Sequence, residues 1–192
     1  MSKNPNAAAL DSTLTDNEPI GATGDWAASL GGASSAQGKR SVAEGTNTVA
    51  KGKYSHAEGD NSVTLGNDSH AEGISTVAFG DQSHSEGINT QAIGQGSHAE
   101  GDQTIAAGYA AHAGGILSQA NGHASFVSGS RVIADHYAQA VVGKFNNNKA
   151  DTLFEVGDGY DEGYRHNAFE AGSNFIGVGD VRVTSQELDK LH

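Results

Sequence analysis

A fourteen-residue period runs through the middle of this chain without an insertion or deletion, and few folds accommodate one. The cleanest copies begin Ser55-His56-Ala57-Glu58-Gly59, Ser69-His70-Ala71-Glu72-Gly73, Ser83-His84-Ser85-Glu86-Gly87 and Ser97-His98-Ala99-Glu100-Gly101. Looser copies lie at Ser41-Val42-Ala43-Glu44-Gly45, Ala111-His112-Ala113-Gly114-Gly115 and Ser125-Phe126-Val127-Ser128-Gly129. One glycine column (Gly31, Gly45, Gly59, Gly73, Gly87, Gly101, Gly115, Gly129, Gly143) keeps the spacing throughout. A fixed short period means one structural unit stacked on copies of itself. Such a chain is a rod, and rods hold, reach or bind more readily than they catalyse.

Each unit splits into two halves that end in glycine, as in Ser55–Gly59 and Ser62–Gly66. Five alternating residues followed by a glycine-led corner predict a short strand and a tight turn, hence two strands per repeat. Glycine at this frequency and a period of two exclude helix. Alternation sorts the side chains: Ser55 and Ala57, or Thr76 and Ala78, point one way, and small residues fit a thin interior. His56 and Glu58 point outward from one sheet. Val49, Val63, Leu65, Val77, Phe79, Ile93 and Ile105 point outward from the other.

That apolar stripe cannot stay in water. Burying such a side chain contributes about 1.5–3 kcal/mol, so the seven together bring about 10–20 kcal/mol per chain as an upper bound. An alanine interior supplies far less per residue. The stripe is therefore expected to meet copies of itself around a symmetry axis, with three-fold closure preferred. Composition agrees: 36% of the 192 residues are hydrophobic, 6% are aromatic and 27 are glycine, too little for a lone globular core. The strict phase argues against disorder.

A net charge of −12 disfavours a nucleic-acid or anionic-membrane partner. The absence of cysteine excludes disulfides and thiolate metal sites. No apolar run has the length of a membrane span, and residues 1–17 lack the basic and apolar pattern of a secretory signal. Cytoplasmic synthesis without general export is expected.

Residues 1–26 are polar and hold both prolines, Pro5 and Pro19, so they read as a flexible tail or as an attachment segment anchored by Ile20, Trp26 and Leu30. The repeat region is drawn at 27–140, closing near Asp135-His136, where histidine replaces the expected glycine. A compact β cap is drawn at 141–183, with Leu153–Val156 and Phe175–Val178 as strands, covering the roll's last edge. Thr184-Ser185-Gln186-Glu187 has capping-box form and opens a short helix at 184–192.

The most conspicuous chemistry is a histidine column, His56, His70, His84, His98 and His112, beside a carboxylate column, Glu44, Glu58, Glu72, Glu86 and Glu100. Stacked turns place successive imidazoles about 4.8 Å apart. Imidazole and carboxylate are zinc or nickel ligands, but a flat repeating ladder lacks closed geometry, which favours an exposed face where histidine relieves carboxylate repulsion. Asp158-Gly159-Tyr160-Asp161-Glu162-Gly163 is oxygen-rich but lacks full EF-hand spacing, so it reads as an acidic turn. Repeated Ser and His columns present no isolated catalytic triad, and no phosphate-cradling loop is present. No enzyme activity, cofactor or resident metal is expected.

The repeat resembles the left-handed parallel β-roll of trimeric autotransporter adhesin heads, and its S-H-A-E-G wording resembles repeats in bacteriophage tail-fibre and appendage proteins, over roughly residues 27–143. Val141–Asn146, Asp151–Gly159 and Arg165–Glu170 resemble the segment that follows such repeats in phage appendages. The resemblance implies an all-β trimeric left-handed parallel β-roll with a small C-terminal β cap and short terminal helix. It also implies a virion fibre that meets other virion proteins through its N-terminal segment and a host-surface glycan or protein elsewhere. Such proteins often continue into a self-cleaving chaperone, for which the residues after the cap leave no room. A bacterial surface adhesin is the alternative; a self-cleaving appendage or glycan hydrolase is the third class, to be revived by a clustered acid pair.

Overall fold

The computed structural model describes residues 21–191 and is an all-β solenoid with a short helical end. The attachment expectation for Ile20 falls outside these residues. Each turn contributes one strand to each of two sheets. A narrow nine-stranded sheet runs from Gly21–Ala22 to Ile133–Ala134, in strands of two residues. A broad thirteen-stranded sheet begins at Ala28–Leu30, runs through five-residue strands such as His56–Asp60 and His84–Ile88, and continues into the cap. Neighbouring turns pair in parallel and in register fourteen residues apart, as in His84↔His98, Ala57↔Ala71 and Gly87↔Gly101.

The interior is as thin as the sequence implies. Ala43, Ala57, Ala71, Ala78, Ala92 and Ala99 are fully buried, together with Thr48, Ser62, Thr76 and Thr90. Most hydroxyls there find a hydrogen-bond partner, Ser97 Oγ being an exception. Ser55 Oγ donates to Gly52 C=O at 2.8 Å, and Thr76 Oγ1 to Ser62 Oγ at 2.9 Å. The backbone pairs turn to turn, with His56 N–H to Ser69 C=O at 2.9 Å and His70 N–H to Ser83 C=O at 2.9 Å.

Both corners use left-handed backbone at residues other than glycine. Asn47, Asn61, Ser75 and Asn89 occupy one corner column, with φ of 53–58°; Tyr54, Asp68 and Gln82 occupy the other, with φ of 53–60°. Each such residue costs roughly 1–2 kcal/mol. The conformation turns the corner N–H onto the preceding turn, as in Asn61 N–H to Thr46 C=O at 2.9 Å, which recovers about 1 kcal/mol.

The structure moves two sequence-drawn boundaries. The roll has begun by Gly21, so residues 21–26 belong to its first turn and not to an attachment segment. Trp26 sits in the corner column ahead of Arg40 and Tyr54, with φ 60° and 65% exposure. Leu30 stands in strand Ala28–Leu30, paired with Glu44 at the head of the carboxylate column. The line drawn at 140/141 cuts strand Ala140–Lys144, where Val141 continues the buried column of Ala113 and Val127.

The narrow sheet ends where His136 replaces glycine, for a steric reason. The missing Cβ of each glycine in that column points at the next turn: at Gly94 it would meet Gly108 C=O at 1.9 Å, and at Gly122 it would meet His136 C=O at 2.0 Å. No further narrow strand follows Ile133–Ala134, so His136 can carry a side chain. The open edge is closed by Asn146, whose Oδ1 accepts from Ile133 N–H at 2.8 Å and whose Nδ2 donates to Ile133 C=O at 2.9 Å. One side-chain amide thus does what the backbone of another turn would do.

The broad sheet continues. Thr152–Asp158 pairs in parallel with Ala140–Lys144, then Asn167–Gly172, Phe175–Val178 and Val181–Thr184 follow as antiparallel neighbours. The sequence reading missed the strands at 167–172 and 181–184. Thr184 caps helix Ser185–Leu188 with the reciprocal hydrogen bonds expected of it, Glu187 N–H to Thr184 Oγ1 at 3.4 Å and Thr184 N–H to Glu187 Oε2 at 2.8 Å.

Two buried carboxylates organise this cap. Glu155 accepts from Asn146 Nδ2, Thr152 Oγ1 and Lys149 N–H (2.9 Å). Glu170 is paired with Lys149 Nζ at 2.9 Å and with Arg182 Nε. Burial pushes Glu170 up, but hydrogen bonds from Arg182, Lys149 and Asn167 outweigh it and hold the carboxyl below its usual range. Glu170→Ala is expected to cost about 3 kcal/mol, the low end for a broken buried pair because Lys149 and Arg182 keep part of their charge in water. A urea midpoint unchanged by the substitution would contradict this.

Candidate functional site

Two outer faces of the roll carry its possible functions. The first is the narrow sheet's outer surface. Val49, Val63, Val77 and Ile105 are half-buried by their stacked neighbours, but Leu65, Phe79 and Ile93 remain 38%, 44% and 42% exposed in one chain. These three follow one another in the same column on successive turns. Ile74, Ile88 and Ile116 add to the apolar surface at the ends of the broad strands, just before the corner that leads to the narrow sheet. The sequence reading missed them because it tallied only the second half of each repeat. Their signal was the isoleucine after the glycine in Glu72-Gly73-Ile74 and Glu86-Gly87-Ile88.

The second face is the ladder. The rings of His56, His70, His84 and His98 stack with centroids 4.8–5.0 Å apart, and His112 turns edge-on to His98 at 4.8 Å. The ladder is half-buried and not exposed: the paired histidine side chains keep only 31–37% of their surface. Histidines and carboxylates interleave between turns. His98 Nε2 lies 3.4 Å from Glu86, and His112 Nε2 lies 3.3 Å from Glu100. Beside the rings a groove of about 410 Å³ is lined by Glu58, Glu72, Glu86 and Glu100 over a floor of Gly73, Gly87 and Gly101.

Crowding redistributes the protons. Hydrogen bonding with Glu44 and Glu72, aided by burial and like charge, pushes Glu58 up to about 7. Hydrogen bonds from Glu86 and Glu58 lower Glu72, and burial followed by repulsion from His84 and His56 lowers His70. A proton held on Glu58 therefore relieves the carboxylate row. Because the folded Glu58 holds its proton more tightly than an unfolded glutamate, stability grows as pH falls through about 7. His70 acts the other way, costing stability once pH drops below the ordinary 6.5. Glu58 faces Glu44, Glu72 and His56, and no fixed cation among them. In chelator-treated buffer the melting temperature should rise from pH 8 to about 6.5 and rise less steeply below it, where His70 opposes Glu58. A steady fall over that interval, or an equal rise in Glu58→Gln, would contradict this account.

Glu58 and Glu72 are thus an acid pair with opposed shifts, the feature that could revive a hydrolase. The shifts come from the carboxylates' own mutual contacts within a repeating row. The remaining candidate, the acidic turn, has its carboxylates engaged by protein donors. Asp161 Oδ1 accepts from Gly163 N–H at 2.8 Å and Tyr164 N–H at 3.0 Å, Glu162 pairs with Arg165 at 2.6 Å, and Asp158 pairs with His166. That last contact raises the His166 pKa. Tyr160 and Tyr164 stack at 4.8 Å in the same turn, both exposed. Among the described residues, no helix is long and apolar enough to cross a membrane.

Five overlapping stretches of the chain, residues 22–48, 43–69, 57–83, 71–97 and 85–111, match the YadA head domain repeat. The chain therefore carries adhesin-head repeats on a β-solenoid. Beyond residue 111 the turns continue but their columns change, with Gly114, Phe126, Val127 and Val132 where Glu, His, Ala and Ser or Thr stood. No curated protein matches the chain.

Proposed function

We propose that the chain is a non-catalytic, adhesin-like rod that works as a homotrimer on a phage particle, as a short tail fibre, appendage or head fibre. The observation that carries the rod's self-association is the row of Leu65, Phe79 and Ile93, exposed along successive turns of one sheet. A surface of that kind is stable in water once copies cover it, and repeats of the YadA head kind are at home in trimeric adhesins. Virion placement is supported by the three stretches that resemble phage appendages. They fall largely on adjacent strands, Ala140–Lys144, Thr152–Asp158 and Asn167–Gly172, and so form one module.

In this reading the roll is a spacer. The segment before it meets other virion proteins, and the cap or the roll's outer face meets a host glycan or protein. Exposed Tyr160 and Tyr164 beside Arg165, around a hollow of about 380 Å³, give the cap an aromatic contact surface of the kind that interfaces favour. The YadA head repeats favour a second reading, display on a bacterial surface. Antibody against this chain, imaged by electron microscopy, separates the two: label on purified particles supports the fibre, and label confined to cell surfaces overturns it in favour of the adhesin. A glycan array then addresses the ligand.

A further inference from the structure

We propose that the histidine–glutamate ladder is a linear array of binding sites for a divalent transition metal ion of the zinc class, held by imidazole Nε2 and carboxylate oxygens from neighbouring turns. The backbone of the ladder is flat, but its side chains converge. His56 Nε2 lies 3.6 Å from Glu44 of the preceding turn and 3.7 Å from Glu58 of its own turn. The corresponding separations are 3.8 Å for His70–Glu72, 3.4 Å for His98–Glu86 and 3.3 Å for His112–Glu100. A tetrahedral zinc with bonds of about 2.0–2.1 Å has ligand-to-ligand edges of about 3.3–3.4 Å. Each of these His–Glu pairs therefore stands within about half an ångström of the edge that a shared ion requires, while the donor atoms of the three-residue groups, within 4.8 Å of one another, would draw together on binding.

A second observation is independent of those distances. The Nε2 atoms of His56, His70, His84 and His98 are shut off from solvent and have no hydrogen-bond partner. A buried nitrogen left unsatisfied costs free energy, and a metal ion is one species that satisfies an imidazole lone pair facing two carboxylates. The stacked rings keep their lone pairs parallel, so binding between two of them must tilt one. His112, turned 83° from His98, shows that the column tolerates such a rotation. Nitrogen donors select zinc, nickel or cobalt over calcium and magnesium, which favour oxygen-only shells.

Three triads have their donor atoms within 4.8 Å of one another, and two of them, His56–Glu58–His70 and Glu86–His98–Glu100, share no residue. Two ions per chain are therefore expected, each with three protein donors and water completing the shell. Each ion would link adjacent turns and neutralise carboxylates that otherwise repel.

The test uses the full chain without an affinity tag, stripped with chelator and titrated with zinc chloride in a calorimeter. The expected result is saturation near two zinc ions per chain, with the affinity lost by about tenfold or more in the His70→Gln, His98→Gln double variant, which removes a nitrogen donor from all three triads. The His123→Gln, His136→Gln double variant, off the ladder, should still bind two. Equal binding by the native and ladder-variant chains, or no saturable uptake by the native chain, overturns the proposal. Should the ladder variant misfold, zinc-edge X-ray absorption on the native chain decides. Imidazole nitrogen and carboxylate oxygen at about 2.0–2.2 Å support the array, and a shell of water oxygens alone refutes it.

Discussion

A chain carrying Phe79→Asp and Ile93→Asp is expected to lose its self-association, sedimenting as a lone subunit or as heterogeneous aggregate where the native chain is expected to sediment as the proposed trimer. The two side chains point outward from the narrow sheet on consecutive turns and are 44% and 42% exposed in a single chain. Covering the fraction of each that one chain leaves exposed contributes about 0.6–1.3 kcal/mol, so a trimer loses about 4–8 kcal/mol across its six positions. The aspartates add carboxylates that association would have to desolvate, which is costlier than the lost contact. Nothing inside the subunit opposes the change, because both positions lie outside the alanine interior. A matched double substitution on the broad sheet, Glu72→Gln with Glu86→Gln, should leave the mass unchanged. Equal masses for native and narrow-sheet variant would remove the argument for a trimer, and a well-folded lone native subunit at micromolar concentration would remove it outright.

Much of the roll was legible in the sequence because its constraints are local and repeated. Alternation told inward Ala57 and Ala78 from outward His56 and Val77, and the glycine columns marked the corners. Even the narrow sheet's end showed at His136, since a side chain there is tolerated only if no further narrow strand follows. The cap was less legible for an electrostatic reason. Glu155 and Glu170 read like ordinary surface carboxylates, and only the fold reveals that Asn146, Thr152, Lys149 and Arg182 surround them. The cap was drawn to begin at Val141. That residue holds the same inward position with a larger side chain, where the stack is about to end. The ladder was legible as two columns, but the half-burial that isolates the histidine nitrogens depends on how neighbouring turns shield one another.

The glycines supply the second large effect. Gly87→Ala is expected to prevent the roll from closing at that turn, whereas Gly96→Asn is expected to be nearly silent. Both positions have positive φ, but +64° lies in the left-handed region that non-glycine residues of this chain adopt, whereas +104° lies outside it. Space adds to the difference. A Cβ at Gly87 would lie 2.2 Å from Gly101 C=O, a backbone atom that cannot rotate away, while a Cβ at Gly96 meets nothing within 4 Å. The column of Gly96 already holds Tyr54, Asp68, Gln82 and Ala110 in the same left-handed conformation. Relieving the Gly87 contact requires adjacent turns to separate and give up several of the hydrogen bonds that join them, each contributing about 1 kcal/mol. A loss of about 3–5 kcal/mol per chain follows, or about 10 °C in melting temperature for a chain this size. Gly96→Asn should stay within about 1 kcal/mol, since asparagine tolerates the left-handed region. Gly94→Ala separates the two causes, because its φ is not in the positive region while its Cβ would lie 1.9 Å from Gly108 C=O. It should lose most of the stability that Gly87→Ala loses, the remainder being the backbone cost at Gly87. If Gly94→Ala melts like the native chain, conformation and not close approach sets the glycine requirement, and the turn spacing that underlies the roll would have to be wider than described.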